Sequence, residues 1–326
     1  MVIMLNWAMR MVAITGVILV GLGQGGVKAA DDTFRVVASI RPVAALVGAV
    51  MGDVGQPALL ISDPAAAHHF TVKPSQARLL QDADLVFWIG PSMETSLGTA
   101  LAGLAPDVPA VPLIDVEGLT RYPLDTIDGG YKHKHSGETT QPHHAHDDHA
   151  VNPHIWLDPR NVVVLLHHIA GRLAAADPAH KATYQANARD AAAQIKATIT
   201  AMRAEMARYH DSRFIVLHDA HTYFERFFDV RARAAITIDP GMAPGVARVT
   251  ALRQLLATAK ITCIFGEAGI SDKWPQLVAD GTNLSLVQLD PLGITIDDGP
   301  SFFPRLFRLY QMAYSDCLSD TKTGYR

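Results

Sequence analysis

Fifteen histidines are spread unevenly through the 326 residues, and three of them stand where metal chemistry would need them. His68 lies in "AAAHHFTVKPSQ", after the apolar run "PALLIS". His154 lies in "NPHIWLDPRN", ahead of a segment with helical character from Arg160. His218 ends an apolar run in "FIVLHDAHTYF", and Asp290 ends another in "LVQLDPLG". Three imidazoles and one carboxylate make a sensible shell for a four-coordinate Zn2+, whereas Mn2+ would be expected to carry more oxygen. Open parallel sheets bind ligands at strand ends, which is where these four side chains are expected. No HExxH or similar local motif is present, so the fold itself must assemble the set. Taken singly, each histidine is more often a packed or surface residue than a ligand.

Around these four are residues that could support them. His69 competes with its neighbour His68 for the same role. His221 is one turn beyond His218 and could back a ligand or simply open a helix. Glu267, in "FGEAG", could accept a hydrogen bond from a ligand histidine and fix its tautomer. The most conspicuous stretch is different in kind: "HKHSGETTQPHHAHDDHA" (133–150) holds His133, His135, His143, His144, His146 and His149. It belongs to a segment, 121–150, that lacks apolar periodicity and is dense in Gly, Thr, Asp, Lys and His, a loop signature. The loop could gather extra ions weakly or pass zinc to His154; a solvated linker without a role is the alternative.

The elements that must position these residues are legible as alternating runs. Short apolar stretches at 34–40, 57–62, 83–90, 110–116, 213–220, 232–239, 262–268 and 284–290 read as buried strands, with helix-compatible segments between them. That alternation predicts an α/β fold with parallel sheets. Between the halves, 177–210 keeps an apolar stripe of Tyr184, Ala188, Ala191, Ile195, Ile199, Met202 and Met206, with Asp177 as a cap and Pro178 at the first turn. The expectation is two Rossmann-like lobes, 30–176 and 211–326, joined by this long backbone helix. Residues 1–29 read as a signal peptide: Arg10, an apolar run too short for a comfortable membrane span, then small residues before "DD". Its removal would take away Arg10 and Lys28 and leave an acidic chain, with nothing basic to suggest a nucleic-acid partner. An even pair of cysteines, Cys263 and Cys317, favours a disulfide in an exported chain, two inert buried thiols being the alternative.

Together "HHFTVKPSQARLLQDADLVFWIGPSME", "NPHIWLDP", "VLHDAHTYFERFF", "FGEAG" and "LDPLG" resemble the motifs of periplasmic zinc-binding proteins of ABC importers, the ZnuA-type members of the cluster A-I group. The resemblance runs through the mature chain in order and includes the His-rich insertion before "NPH". It implies metal ligands at His68, His154 and His218, with Asp290 or a water as the fourth. The family's manganese-specific members resemble this pattern with a carboxylate at the third place, so His218 favours zinc. Ala67 stands where some zinc importers have a Glu, which removes that residue as a ligand. A Cys263–Cys317 disulfide also matches the group. The implied protein is a periplasmic monomer, not an enzyme, which delivers Zn2+ to a membrane permease, with a periplasmic metallochaperone as a further partner. Capture of manganese or another transition metal, a zinc-dependent hydrolase, and a structural or adhesin-like role are the competing readings.

Overall fold

Each of the eight apolar runs contributes one short strand, and each strand is parallel to its neighbours. The computed structural model describes residues 34–68, 70–124 and 151–319. The expected signal peptide, His69 and the six loop histidines lie outside those residues.

The first sheet contains β1 (Val36–Ala38), β2 (Ala58–Leu59), β3 (Leu85–Trp88) and β4 (Ala110–Pro112), in the order β2-β1-β3-β4. Its register pairs Val37 with Ala58 and Val86, and Phe87 with Val111. The second sheet repeats the scheme with β5 (Phe214–Val216), β6 (Ala234–Ala235), β7 (Cys263–Glu267) and β8 (Ser285–Leu289), ordered β6-β5-β7-β8. In both sheets the chain leaves the first strand on one side and returns on the other. That places a topological switch point between β1 and β3 and another between β5 and β7, where crevices open beyond the strand ends. The central strands β1, β3, β5 and β7 are buried along their whole length, as continuous apolar runs require. β8 differs from the buried strand expected of it: alternate residues are exposed, because it is an edge strand with one open face.

Nine α-helices are present among the described residues: α1 (Arg41–Met51), α2 (Pro74–Gln81), α3 (Leu97–Leu104), α4 (Pro159–Ala176), α5 (Lys181–Met206), α6 (Thr222–Phe228), α7 (Val246–Thr258), α8 (Lys273–Ala279) and α9 (Phe302–Leu318). None among the described residues is long and apolar enough to cross a membrane. α5 is the backbone helix, 26 residues long, which at 1.5 Å per residue spans roughly 39 Å. Every member of its apolar stripe is buried. One side packs on α1 and α4 of the first lobe and another on α9 of the second, which is why a single helix can join the lobes. Its start differs from the expected one. Asp177 ends α4 and makes no side-chain cap; its carboxylate accepts instead from Tyr184 Oη at 2.6 Å and pairs with His180 Nδ1 at 2.7 Å.

Cys263 at the start of β7 and Cys317 near the end of α9 form a disulfide closing a 54-residue separation. A loop of that size corresponds to about 4 kcal/mol of stabilisation in the chain-entropy model. It staples α9 to the sheet beside an aromatic seam in which Tyr314 meets Phe265 and Phe214 with ring centroids 4.9 and 5.4 Å apart.

Candidate metal centre

His68 follows β2 on a segment shaped by its own turn chemistry. Pro64–Ala66 forms a 3-10 turn, and Asp63 caps it by accepting from Ala65 N at 3.0 Å. The segment is pinned back by Gln76 Nε2 donating to Leu60 O at 2.7 Å. His154 heads the short 3-10 turn Ile155–Leu157, which runs into α4. Pro159 opens that helix and Asp158 caps it through Arg160 N at 2.8 Å. His218 stands two residues beyond β5, and Glu267 is the last residue of β7, so both project at the switch point of the second sheet.

The fold gathers these histidines into one cluster. His68, His154 and His218 each offer a ring nitrogen, and the three atoms all lie within 4.8 Å of one another. The Nε2 atoms of His154 and His218 are 3.4 Å apart. Tetrahedral Zn2+ with Zn–N bonds of ~2.05 Å holds its ligand atoms roughly 3.3 Å apart, so the pair is already set to the edge of such a tetrahedron. Both rings are held from behind: His154 Nδ1 meets Asn152 Oδ1 at 2.9 Å, and His218 Nδ1 meets Glu267 Oε1 in a short hydrogen bond. His154 and His218 are buried while His68 is partly exposed, giving the cluster one solvent-facing side. That side opens into a cleft of about 530 Å³ whose walls include Ser92, Ser96, Ile238 and the carboxylate residues Asp219 and Asp239.

Electrostatics differ across the cluster. Burial, reinforced by the neighbouring rings of His218, His68 and His221, pushes His154 well below the ordinary imidazole range and keeps it a neutral donor. Burial pushes His218 the same way, but the Glu267 carboxylate, aided by Asp219 and Asp239, outweighs it and raises His218. Glu267 is itself held below the usual carboxylate range: burial would raise it, and the attraction of His218, then of His221, overcomes that. His221 is fully buried behind this pair, with Nδ1 2.9 Å from Tyr310 Oη and Nε2 3.6 Å from Glu267 Oε1.

Asp290 is at the end of the last strand, yet its carboxylate is not part of the cluster. Oδ1 accepts from Ile294 N at 2.9 Å, and Oδ2 accepts from Thr295 N at 2.9 Å and Thr295 Oγ1 at 2.7 Å. The following loop turns sharply at Gly293, whose φ of 64° suits glycine, and so brings its own donors over the aspartate. Three residues lining or bracing the site received no role from sequence. Asn152 sits two places before His154 in the quoted "NPH" stretch, Asp219 follows His218 in "LHDA", and Asp239 follows β6. An amide or carboxylate placed within two residues of a candidate ligand histidine was the available signal for the first two.

The family described as zinc-uptake complex component A, periplasmic, matches residues 36–308. The high-affinity zinc uptake system protein ZnuA of Brucella suis is 35% identical over 315 residues, covering 90% of this chain and 94% of that protein. Its counterpart in Paracoccus denitrificans is 33% identical over 318 residues, covering 93% and 97% respectively. A crystal structure of ZnuA shares the fold with a TM-score of 0.73 at 22% identity, covering 88% of this chain and 100% of that one. The relatives are components of uptake systems, not enzymes. Matched by the family through both sheets and their connecting helices, the chain belongs to the periplasmic zinc-uptake component A family.

Proposed function

We propose that this chain, exported by its N-terminal signal, captures Zn2+ between its two lobes and delivers it to the membrane permease of an ABC importer. His154 and His218 bind through Nε2, His68 supplies the third nitrogen from the open side, and solvent completes the shell. The observation that carries this reading is the 3.4 Å separation of the two Nε2 atoms, which matches the ligand spacing of a tetrahedral zinc ion. The names of the relatives, all zinc uptake proteins, agree with it. Three imidazoles with no carboxylate among them favour zinc over manganese. A site with one side open to a cleft suits a cargo that must leave again, whereas a structural zinc is enclosed by four protein ligands.

The test is a zinc titration against a competing chelator, run on the wild-type protein and on H68A, H154A and H218A. One tight site in the wild type, lost in each variant, is expected. Tight binding that persists in H154A and H218A would remove the assignment.

A further inference from the structure

Asn152 is fully buried, and every polar group it carries is committed. Its N–H donates to Tyr122 O at 2.8 Å and its carbonyl accepts from Tyr223 Oη at 2.7 Å. Its side chain reaches in two directions. Nδ2 donates to the backbone carbonyl of Asp219, the residue after His218, at 2.7 Å, while Oδ1 accepts from His154 N at 3.1 Å and faces His154 Nδ1 at 2.9 Å. These partners fix the amide without ambiguity. A backbone carbonyl only accepts and a backbone N–H only donates, so the nitrogen must face Asp219 and the oxygen must face His154. An amide oxygen cannot donate. His154 must therefore carry its proton on Nδ1, which leaves the Nε2 lone pair aimed at His218.

We propose that Asn152 is the positioning residue of the metal site: it selects the Nδ1–H tautomer of His154, aims Nε2 at the shared centre, and ties that ring to the backbone beside His218. The inference rests on the zinc reading of the site and adds to it a residue that touches no metal. A partner of this kind orients the ligand ring before the ion arrives, and its loss commonly weakens metal binding without removing a ligand.

The test combines one spectrum with two variants. Nitrogen-15 shifts of the His154 ring in the metal-free wild-type protein should report the Nδ1–H form. N152L, which keeps bulk but has no acceptor, should bind Zn2+ about 10–100-fold more weakly by chelator competition, with the ring tautomers mixed. N152D keeps an acceptor oxygen for His154 but has no donor for Asp219 O, so it should restore the Nδ1–H ring and recover only part of the lost affinity, a tautomer rescue that a purely packing role would not produce. The proposal is overturned by an Nε2–H ring in the wild type, by wild-type affinity in folded N152L, or by an N152D ring that is not Nδ1–H. Should N152L not fold, the wild-type spectrum and N152D decide between the same outcomes. Wild-type protein whose zinc binding is indifferent to H154A would remove the zinc reading, and this inference with it.

Discussion

His154 and His218 are separated by 64 residues of sequence, and their Nε2 atoms stand 3.4 Å apart with each Nδ1 backed by an oxygen. Two ring nitrogens at that distance can share a proton or hold a cation between them. Replacing either ring removes half of that arrangement. Zinc affinity in H154A and H218A is expected to fall by roughly two orders of magnitude or more. The two variants should differ in stability: H218A strips the buried Glu267 of its closest charged partner and should lower the melting temperature, whereas H154A frees only an amide oxygen. Equal melting temperatures for the pair would contradict the assigned role of the Glu267–His218 contact.

Glu267 holds Nδ1 of His218, so in the proposed zinc site it would act on the metal through that ring. E267A should weaken zinc binding by about 10–100-fold, the usual consequence of removing the oxygen behind a ligand imidazole. E267Q retains an oxygen that can accept from Nδ1–H and should lose less. Chelator competition on the two variants checks the order, and equal losses would show that charge, not the acceptor, is what His218 requires.

The strands were legible because buried parallel strands are continuous apolar runs, and His218 because a polar residue that ends such a run must sit at the rim of the sheet; His68 and His154, each beside a 3-10 turn, were singled out by their motifs. The long helix was legible because its stripe persists over about six turns. Other features depended on which of several partners a side chain chose. Asp177 stands where its position suggested a cap, but Tyr184 and His180 took its oxygens, and Asp290, suggested as a ligand, accepts from Thr295 in the loop that follows. Helices α6 and α8 have only seven residues each, too few for a stripe to emerge from the pattern.

Asp290 provides a direct check on the composition of the metal shell. Its oxygens receive three hydrogen bonds from the loop that follows. D290A leaves those donors without their acceptor and should destabilise the protein by ~1–3 kcal/mol, while zinc affinity stays within a few-fold of wild type. H68A should do the reverse, losing affinity with little change in stability, because His68 is partly exposed. Denaturant unfolding and zinc titration on both variants separate the two roles. An affinity loss in D290A as large as that in H68A would return Asp290 to the shell.

A fourth prediction concerns pH and a carboxyl outside the histidine cluster. Glu94 is fully buried where β1 and β3 end, accepting from Ser39 Oγ, from Gly90 N at 3.0 Å and from Ile89 N at 3.3 Å. Burial raises its carboxyl from 4.5 to about 7 despite those donors. The native state therefore holds a proton that the unfolded chain releases near 4.5, and the sign follows from linkage. The stabilisation is fully present below 4.5 and is lost as pH rises through about 7, an effect of roughly 3 kcal/mol at 1.36 kcal/mol per unit. E94Q cannot ionise and should lack that slope, so the stability of wild type relative to E94Q should decline between pH 4.5 and pH 7 and level off above. Glu225, raised to about 8 by burial, contributes a decline of the same sign to both proteins and cancels in the difference. Denaturant titrations of the two metal-free proteins across this range give the comparison, and parallel curves would mean that Glu94 is ionised inside the fold.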